Sequence, residues 1–283
     1  MTTAYNIEEI FSKNAAYQKF EVLKSNRNKR HRYGEFIVEG VRNINEAVKN
    51  GWHINSFIYS QNRQLSRWAL ELLPLVRYKN FALTDNLMTE LSGREDTSEL
   101  MAIVSMESPP ITTVKDTAPA IALFDRPSNK GNLGTMLRSG DALGLDCLVI
   151  TGRCVDIYDS EVIQASMGSF FKLPFLHLTG RREIEDYVSD LKRQYPDMLV
   201  VGTEEDTGQA IYEVDLTRPV LFMLGNEKDG LNNHLQGLCD VMAEIPMESS
   251  RAASSLNVSC AATVVFYEML RQRGVGGNAG TAL

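Results

Sequence analysis

The run Val220 to Leu224 limits what this chain can fold into more than any other stretch. Its residues are apolar in unbroken succession. A strand with one solvated face would alternate, so this pattern belongs to a strand covered on both faces. The run stops at Gly225-Asn226-Glu227, which sets backbone N–H groups and one carboxylate at the strand's carboxyl end. A second short strand, Val241 to Ile245, ends at Pro246. Ser254 or Ser255 is then placed to cap a helix that carries Asn257 and Ser259 in its first turn and closes at Arg271, Arg273 and Gly274. Two strand ends and a helix start converge here. Open α/β sheets bind their ligands at such places.

The remaining carboxyl half follows the same alternation. Ile121–Phe124, Cys147–Ile150, Phe175–Leu178 and Met198–Val201 read as strands. Leu133–Leu143, Ser160–Phe171, Arg182–Gln194 and Asn233–Cys239 read as helices between them. This predicts an α/β fold with a mostly parallel sheet covered by helices. The amino half predicts a smaller α/β layer. A helix over 5–23 is followed by strands at Phe36–Val38, Ile54–Tyr59, Phe81–Leu83 and Leu100–Met106, with helices at Val41–Asn50, Leu65–Val76 and Asn86–Leu91. Ser108-Pro-Pro breaks the pattern. The expected organisation is a small domain over 1–107, a linker over 108–118, a second domain over 119–274 and a glycine-rich disordered tail over 275–283.

Composition excludes several classes. No apolar run approaches the ~20 residues needed to span a bilayer, and the polar start has no leader-like apolar core. The four cysteines show no metal or disulfide spacing, as expected of reduced thiols in a cytoplasm. The four histidines are scattered, so no metal site is predicted. There is no G-x-S-x-G nucleophile elbow. The net charge of −7 does not favour nucleic acid over the whole molecule. Against that sign, Lys24 to Tyr33 holds Arg27, Lys29, Arg30 and Arg32. The cluster is either a solvated loop or a local patch for phosphates.

Asp125 to Gly140 follows a strand and enters a helix, a position suited to anions. Its glycines match neither the Walker nor the dinucleotide fingerprint, which argues against a Rossmann-type nucleotide enzyme. Asn132 supplies an amide at the helix start. Arg138 supplies a guanidinium that could hold a phosphate bidentately. Taken alone, Glu227, Ser255 and Asn257 each have a structural reading as a turn carboxylate, a cap and a first-turn amide.

Three segments carry more information together. Asn-Leu-Gly-Thr-Met-Leu-Arg (132–138), Leu-Gly-Asn-Glu-Lys-Asp-Gly (224–230) and Ser-Leu-Asn-Val-Ser (255–259) occur in this order, with Ile-Pro-Met (245–247) before the third. The set resembles the motifs of the SpoU, or TrmH-like, RNA ribose 2′-O-methyltransferases over roughly Pro119 to Gly274. Glu35 to Ala47 is similar, more loosely, to the start of the family's small substrate-binding domain. The resemblance implies a parallel sheet whose carboxyl-terminal part threads a trefoil knot. S-adenosylmethionine would be held in that knot by Gly225, Ile245 and Leu256, with Thr203 or Gly202 at the neighbouring strand end. Asn132, Arg138, Glu227, Ser255 and Asn257 match the family's functional positions. The enzymes act as homodimers with a shared site, without a metal. The small domain favours ribosomal RNA; transfer RNA, or a non-catalytic RNA-binding protein that keeps the knot, is the alternative. The region 248–253 lacks the glycine usual there. The apolar helix residues Ala261, Val264, Val265 and Phe266 are expected to bury in part against a twofold mate.

Overall fold

The structure, a computed structural model, describes residues 6–76, 78–106, 117–205, 207–248, 250 and 255–274. The expected tail, most of the expected linker and the greater part of 248–253, together with Ser254, lie outside the described residues.

The chain divides into two compact units. The first takes Met1–Pro110 and Asp156–Lys172, and the second takes Ile111–Val155 and Leu173–Leu283. In chain order, unit 1 contains β1 (Ile7–Ile10), α1 (Ala15–Ser25), α2 (Arg27–Tyr33), β2 (Glu35–Glu39), α3 (Val41–Lys49), β3 (Ile54–Ser60), α4 (Arg67–Leu72), β4 (Asn80–Leu83), α5 (Asp85–Ser92) and β5 (Leu100–Ser105). Its sheet runs β1-β4-β3-β5-β2. β1, β4 and β3 are parallel, and β5 is antiparallel to β3 and β2. The start of the chain differs from the predicted helix: Ile7–Ile10 pairs with β4, and α1 begins only after Asn14, whose side chain caps it. The basic cluster is also not a loop. Asn26 caps α2, and Gly34, in the left-handed conformation at φ 64°, ends it.

Asp156–Lys172 falls inside the stretch read from the sequence as a single domain over 119–274, yet in space it groups with the amino-terminal residues. Two interactions account for this. Arg30, only 2% exposed, sits 2.7 Å from Asp156 and 3.3 Å from Asp159. Phe36 and Trp52 pack against Tyr158, Phe170 and Phe171, with ring centroids 5.1–6.4 Å apart where Phe36 takes part, and the Trp52 indole N–H donates to the Phe171 carbonyl at 2.9 Å. The predicted helix here is shorter: α7 (Ser160–Ser166) stops at Met167, in the left-handed region at φ 52°.

Unit 2 contains β6 (Ala120–Phe124), α6 (Lys130–Ala142), β7 (Cys147–Thr151), β8 (Phe175–Leu178), α8 (Arg181–Gln194), β9 (Leu199–Thr203), β10 (Val220–Leu224), α9 (Asn233–Gln236), β11 (Val241–Ala243) and α10 (Val258–Gln272). The sheet is parallel throughout, in the order β11-β9-β10-β6-β7-β8. β6, β7 and β10 are buried along their whole length, as their unbroken apolar runs require. The chain lays β7 and β8 to one side of β6 and returns with β9 and β10 on the other. β6 and β10 therefore flank the point where strand order reverses. The loops leaving their carboxyl ends diverge there and leave a crevice.

Candidate active site

The loop after β10 closes on itself. Asn226 and Gly230 exchange two backbone hydrogen bonds at 2.9 and 3.0 Å, which leaves Glu227, Lys228 and Asp229 at the tip. Gly225 has no alternative residue: a Cβ there would lie 2.3 Å from the carbonyl carbon of Gly230. The loop after β6 is anchored by Asp125, 1% exposed, which accepts from Thr151 Oγ1 at 2.7 Å, Asn232 Nδ2 at 2.9 Å and Arg126 Nη2 at 2.9 Å. Arg126 adopts a left-handed backbone at φ 45°. That conformation costs energy for a non-glycine residue. It is held by the Asp125 pair and by Asn226 Nδ2, which donates to the Arg126 carbonyl at 2.6 Å.

Glu227 is half-buried and joins the two loops. Its Oε2 accepts from the Ser128 N–H at 3.2 Å and the Ser128 hydroxyl at 2.8 Å. Its Oε1 accepts from the Asn129 N–H at 3.3 Å and Asn132 Nδ2 at 3.2 Å. Asn129 is the N-cap of α6, so the carboxylate lies at the positive end of a helix. Burial alone would push its pKa up. The hydrogen bonds from Ser128, from its own backbone N–H and from Asn132 outweigh that and hold it below the ordinary value.

From Asn132 the chain of contacts continues to the third motif. Asn257 Nδ2 donates to Asn132 Oδ1 at 3.1 Å. Asn257, not Ser254 or Ser255, caps α10, its Oδ1 accepting from the Ser259 N–H at 2.9 Å. The helix therefore starts later than the sequence suggested, with this amide on one of its first free N–H groups.

A cavity of about 540 Å³ opens between the carboxyl ends of β9, β10 and β11 and the start of α10. Thr203, Gly225, Ile245 and Leu256 all line it, as do Glu227, Ser255 and Asn257. The lining mixes apolar surface (Leu231, Ala243, Met247, Ala261) with the carboxylates of Glu204, Glu205 and Glu227. A ligand with a flat apolar part and a positive charge suits such walls, and the volume lies in the ordinary range for small-molecule sites. Arg138 is exposed on α6 and outside this lining, with no ion pair to a described residue. In unit 1, Arg27 and Arg32 are exposed and Lys29 partly so, whereas Arg30 is buried against two carboxylates. Arg30 is therefore corrected from a phosphate contact to a structural residue. Val265 and Phe266, expected to bury in part against a twofold mate, are instead buried within the chain's own core, Phe266 packing on Phe222 at 5.8 Å. Val264 (40%) and Tyr267 (56%) are the exposed large apolar residues of α10.

Comparison with known proteins agrees with this geometry. The model of the SpoU rRNA methylase family matches residues 119–267, and that of the SpoU L30e-like domain matches residues 14–102. This chain belongs to the SpoU rRNA methylase family. The 23S rRNA (uridine(2479)-2′-O)-methyltransferase of Streptomyces viridochromogenes is 39% identical over 96% of this chain and 95% of its own length. The crystal structure of the SpoU methyltransferase AviRb from the same organism, in complex with AdoMet, superposes with a TM-score of 0.83 at 39% identity, covering 92% of this chain and 99% of that one. The 23S rRNA (guanosine(2553)-2′-O)-methyltransferase RlmP of Bacillus subtilis is 25% identical over 83% of this chain and 88% of its own length. The protein is thus an α/β methyltransferase of this family.

Residues not singled out in the sequence also build the site: Asp125, Ser128, Asn129 and Asn232. Their polar-loop setting after a buried strand was readable, but their partners lie a hundred residues away in the chain. Among the described residues there is no cluster able to hold a metal ion, and no helix is long and apolar enough to cross a membrane.

Proposed function

We propose that the protein transfers the methyl group of S-adenosylmethionine to a ribose 2′-hydroxyl of ribosomal RNA, as a cytoplasmic homodimer. The observation that carries this reading is the hydrogen-bonded chain Glu227–Asn132–Asn257, which joins three separate motifs and whose two ends, Glu227 and Asn257, line the 540 Å³ cavity. The names of the relatives, two of them 23S rRNA 2′-O-methyltransferases, support the substrate class.

The cofactor, when bound, supplies an electrophilic methyl group. This chain's residues do the positioning. Gly225, without a side chain, lets the Gly230–Leu231 backbone close against it and shape the wall, and Thr203, Ile245 and Leu256 form the remaining walls. The Glu204, Glu205 and Glu227 carboxylates favour a cationic ligand over its neutral product, which helps release. Glu227 is committed to four donors and fixes the start of α6. Ser255 and Asn257 face the cavity where the ribose must enter. We assign the Arg138 guanidinium to the RNA phosphate and the developing alkoxide, a preorganised positive charge, with the 2′-hydroxyl proton passing to that phosphate or to water. Because Arg138 is exposed and outside its own cavity lining, it serves the site of a twofold mate, with Val264 and Tyr267 as part of the surface covered. The carboxyl-terminal segment follows the family's knotted path in this reading. Arg27, Lys29 and Arg32 contact RNA phosphates, without Arg30.

The test is methyl transfer from labelled S-adenosylmethionine to rRNA, with the modified nucleotide mapped. Arg138→Ala should lose on the order of a hundredfold in turnover and still bind cofactor. Mixing inactive Arg138→Ala and Asn257→Ala proteins under subunit exchange should restore up to roughly a quarter of the activity, because half the dimers are mixed and each holds one intact site. If exchange is verified by mass and no activity returns, Arg138 serves its own subunit and the shared site is wrong.

A further inference from the structure

We propose that Ser259 is a positioning residue for methyl transfer: its hydroxyl steadies the origin of the amide chain that runs from α10 to Glu227. The proposal rests on the methyltransferase reading above and concerns a residue outside the cavity lining.

The amide orientations follow from the two ends of the chain. A backbone N–H can only donate, so the Asn257 atom facing the Ser259 N–H at 2.9 Å must be its oxygen. Its NH2 therefore points to Asn132, at 3.1 Å, and meets the oxygen of that side chain. The NH2 of Asn132 is left for Glu227, at 3.2 Å, where a carboxylate can only accept. Every donor meets an acceptor, and reversing either amide would place like atoms against each other at both of its contacts.

The Ser259 hydroxyl strengthens the origin of this order. It is nearly buried, with the residue 4% exposed, and donates to Asn257 Oδ1 at 2.6 Å, shorter than the backbone bond to the same atom. It also lies 3.5 Å from Asn132 Oδ1. Its single proton goes to the nearer oxygen, while its bulk stands behind both amides. Without it, Asn257 keeps one bond from a backbone N–H and gains freedom to rotate. Asn132 then loses its fixed donor, and α6, which carries Arg138, is held less firmly by its first turn. A second tie is unaffected by removing the side chain: Thr263 Oγ1 donates to the Ser259 carbonyl at 2.8 Å and lies 2.7 Å from Ser139 Oγ. The packing of α6 on α10 therefore survives the substitution, and the loss is one of orientation.

The experiment compares Ser259→Ala in the unsubstituted protein and in Asn132→Ala, where the chain is already cut. In the first background kcat should fall about tenfold, with S-adenosylmethionine affinity changed by less than about twofold, because the effect is on orientation in the transition state. In the second it should fall by less than about twofold further. An independent readout is the side-chain NH2 resonance pair of Asn132 in 15N-labelled protein. In Ser259→Ala it should move toward the position of a freely rotating amide, although Asn132 lies on another helix. Equal losses in both backgrounds, or an unmoved Asn132 amide pair, would overturn the assignment. Absence of methyl transfer by the unsubstituted protein would instead sink the proposed function, and the amide readout would still decide the role of Ser259.

Discussion

Replacing Glu227 with Gln separates two roles that a carboxylate in a methyltransferase cavity could have. As a clamp, its oxygens accept from four donors, two on each oxygen. Gln has one acceptor oxygen and one NH2. If the NH2 faced Asn129 and Asn132, two donors would be opposed. Turned the other way, it meets the Ser128 hydroxyl, which can rotate to accept, and opposes only the Ser128 N–H. The second arrangement is cheaper. It still converts charge-assisted hydrogen bonds into neutral ones and orphans one backbone donor, a loss of about 1–3 kcal/mol. For a unit of this size ~1 kcal/mol lowers Tm by about 2–4 °C. The pH dependence carries the same information. The folded-state pKa of Glu227 is held below its ordinary value of 4.5. Its stabilisation is therefore fully present above 4.5 and is lost as pH falls through the folded-state value. Glu227→Gln should be less stable than the parent at neutral pH, and the difference should narrow in acid. Turnover should fall about tenfold as the start of α6 slackens. Thermal unfolding across pH 3–7, with single-turnover methyl transfer at pH 7, tests this. A variant with unchanged Tm and unchanged acid behaviour that nevertheless loses more than a hundredfold in kcat would refute the clamp, and would show Glu227 acting as a base.

Three further outcomes follow from the same geometry. Arg30→Ala leaves Asp156 and Asp159 without their buried partner and should destabilise unit 1 by roughly 3–5 kcal/mol; a loss under ~1 kcal/mol in denaturant titration would contradict the structural role. Gly225→Ala places a Cβ 2.3 Å from Gly230 and should remove cofactor binding by calorimetry while secondary structure, by circular dichroism, is retained; binding within a few-fold of the parent would show the loop to be pliant. Neutralising Arg27, Lys29 and Arg32 together should weaken RNA binding and reduce the log–log salt slope by about 0.7–0.9 per lost phosphate contact, with cofactor affinity unchanged; an unaltered slope would mark α2 as an ordinary solvated helix.

What the sequence allowed to be read follows from where each element finds its partners. β6, β7 and β10 were legible because burial on both faces leaves an unbroken apolar run. β1 was not: Ile-Glu-Glu-Ile buries only its last residue and becomes a strand through pairing with β4, a partner some seventy residues away. The helix α2 has no apolar stripe at all. Its caps, Asn26 and Gly34, were local signals that could have been used, but Arg30 is buried by carboxylates at 156 and 159 that no local pattern announces. The same partners draw Asp156–Lys172 into unit 1, so the composition of that unit could not be read from chain order.

The site shows the same division at the scale of single atoms. Asn132, Glu227 and Asn257 were legible because the family motifs name them, and local reasoning then set the start of α10 too early. The difference matters for the chemistry. Had Ser255 capped the helix, the Asn257 amide would lie in the first turn with both ends uncommitted, free to meet substrate directly. As the cap, it spends its oxygen on the Ser259 N–H and can offer neighbours only its NH2. That restriction gives Asn132 its orientation, and Asn132 in turn presents its own NH2 to Glu227. A helix start displaced by two residues thus decides whether the third motif is a set of independent contacts or the origin of one directional chain, which is why Asn257→Asp is informative. Asp can cap α10 equally well but has no NH2 for Asn132, so helix stability should be retained while turnover falls as far as it does in Asn257→Ala. If Asn257→Asp kept more than about half of the parent's turnover, the link from Asn257 to Asn132 would carry no weight in the reaction.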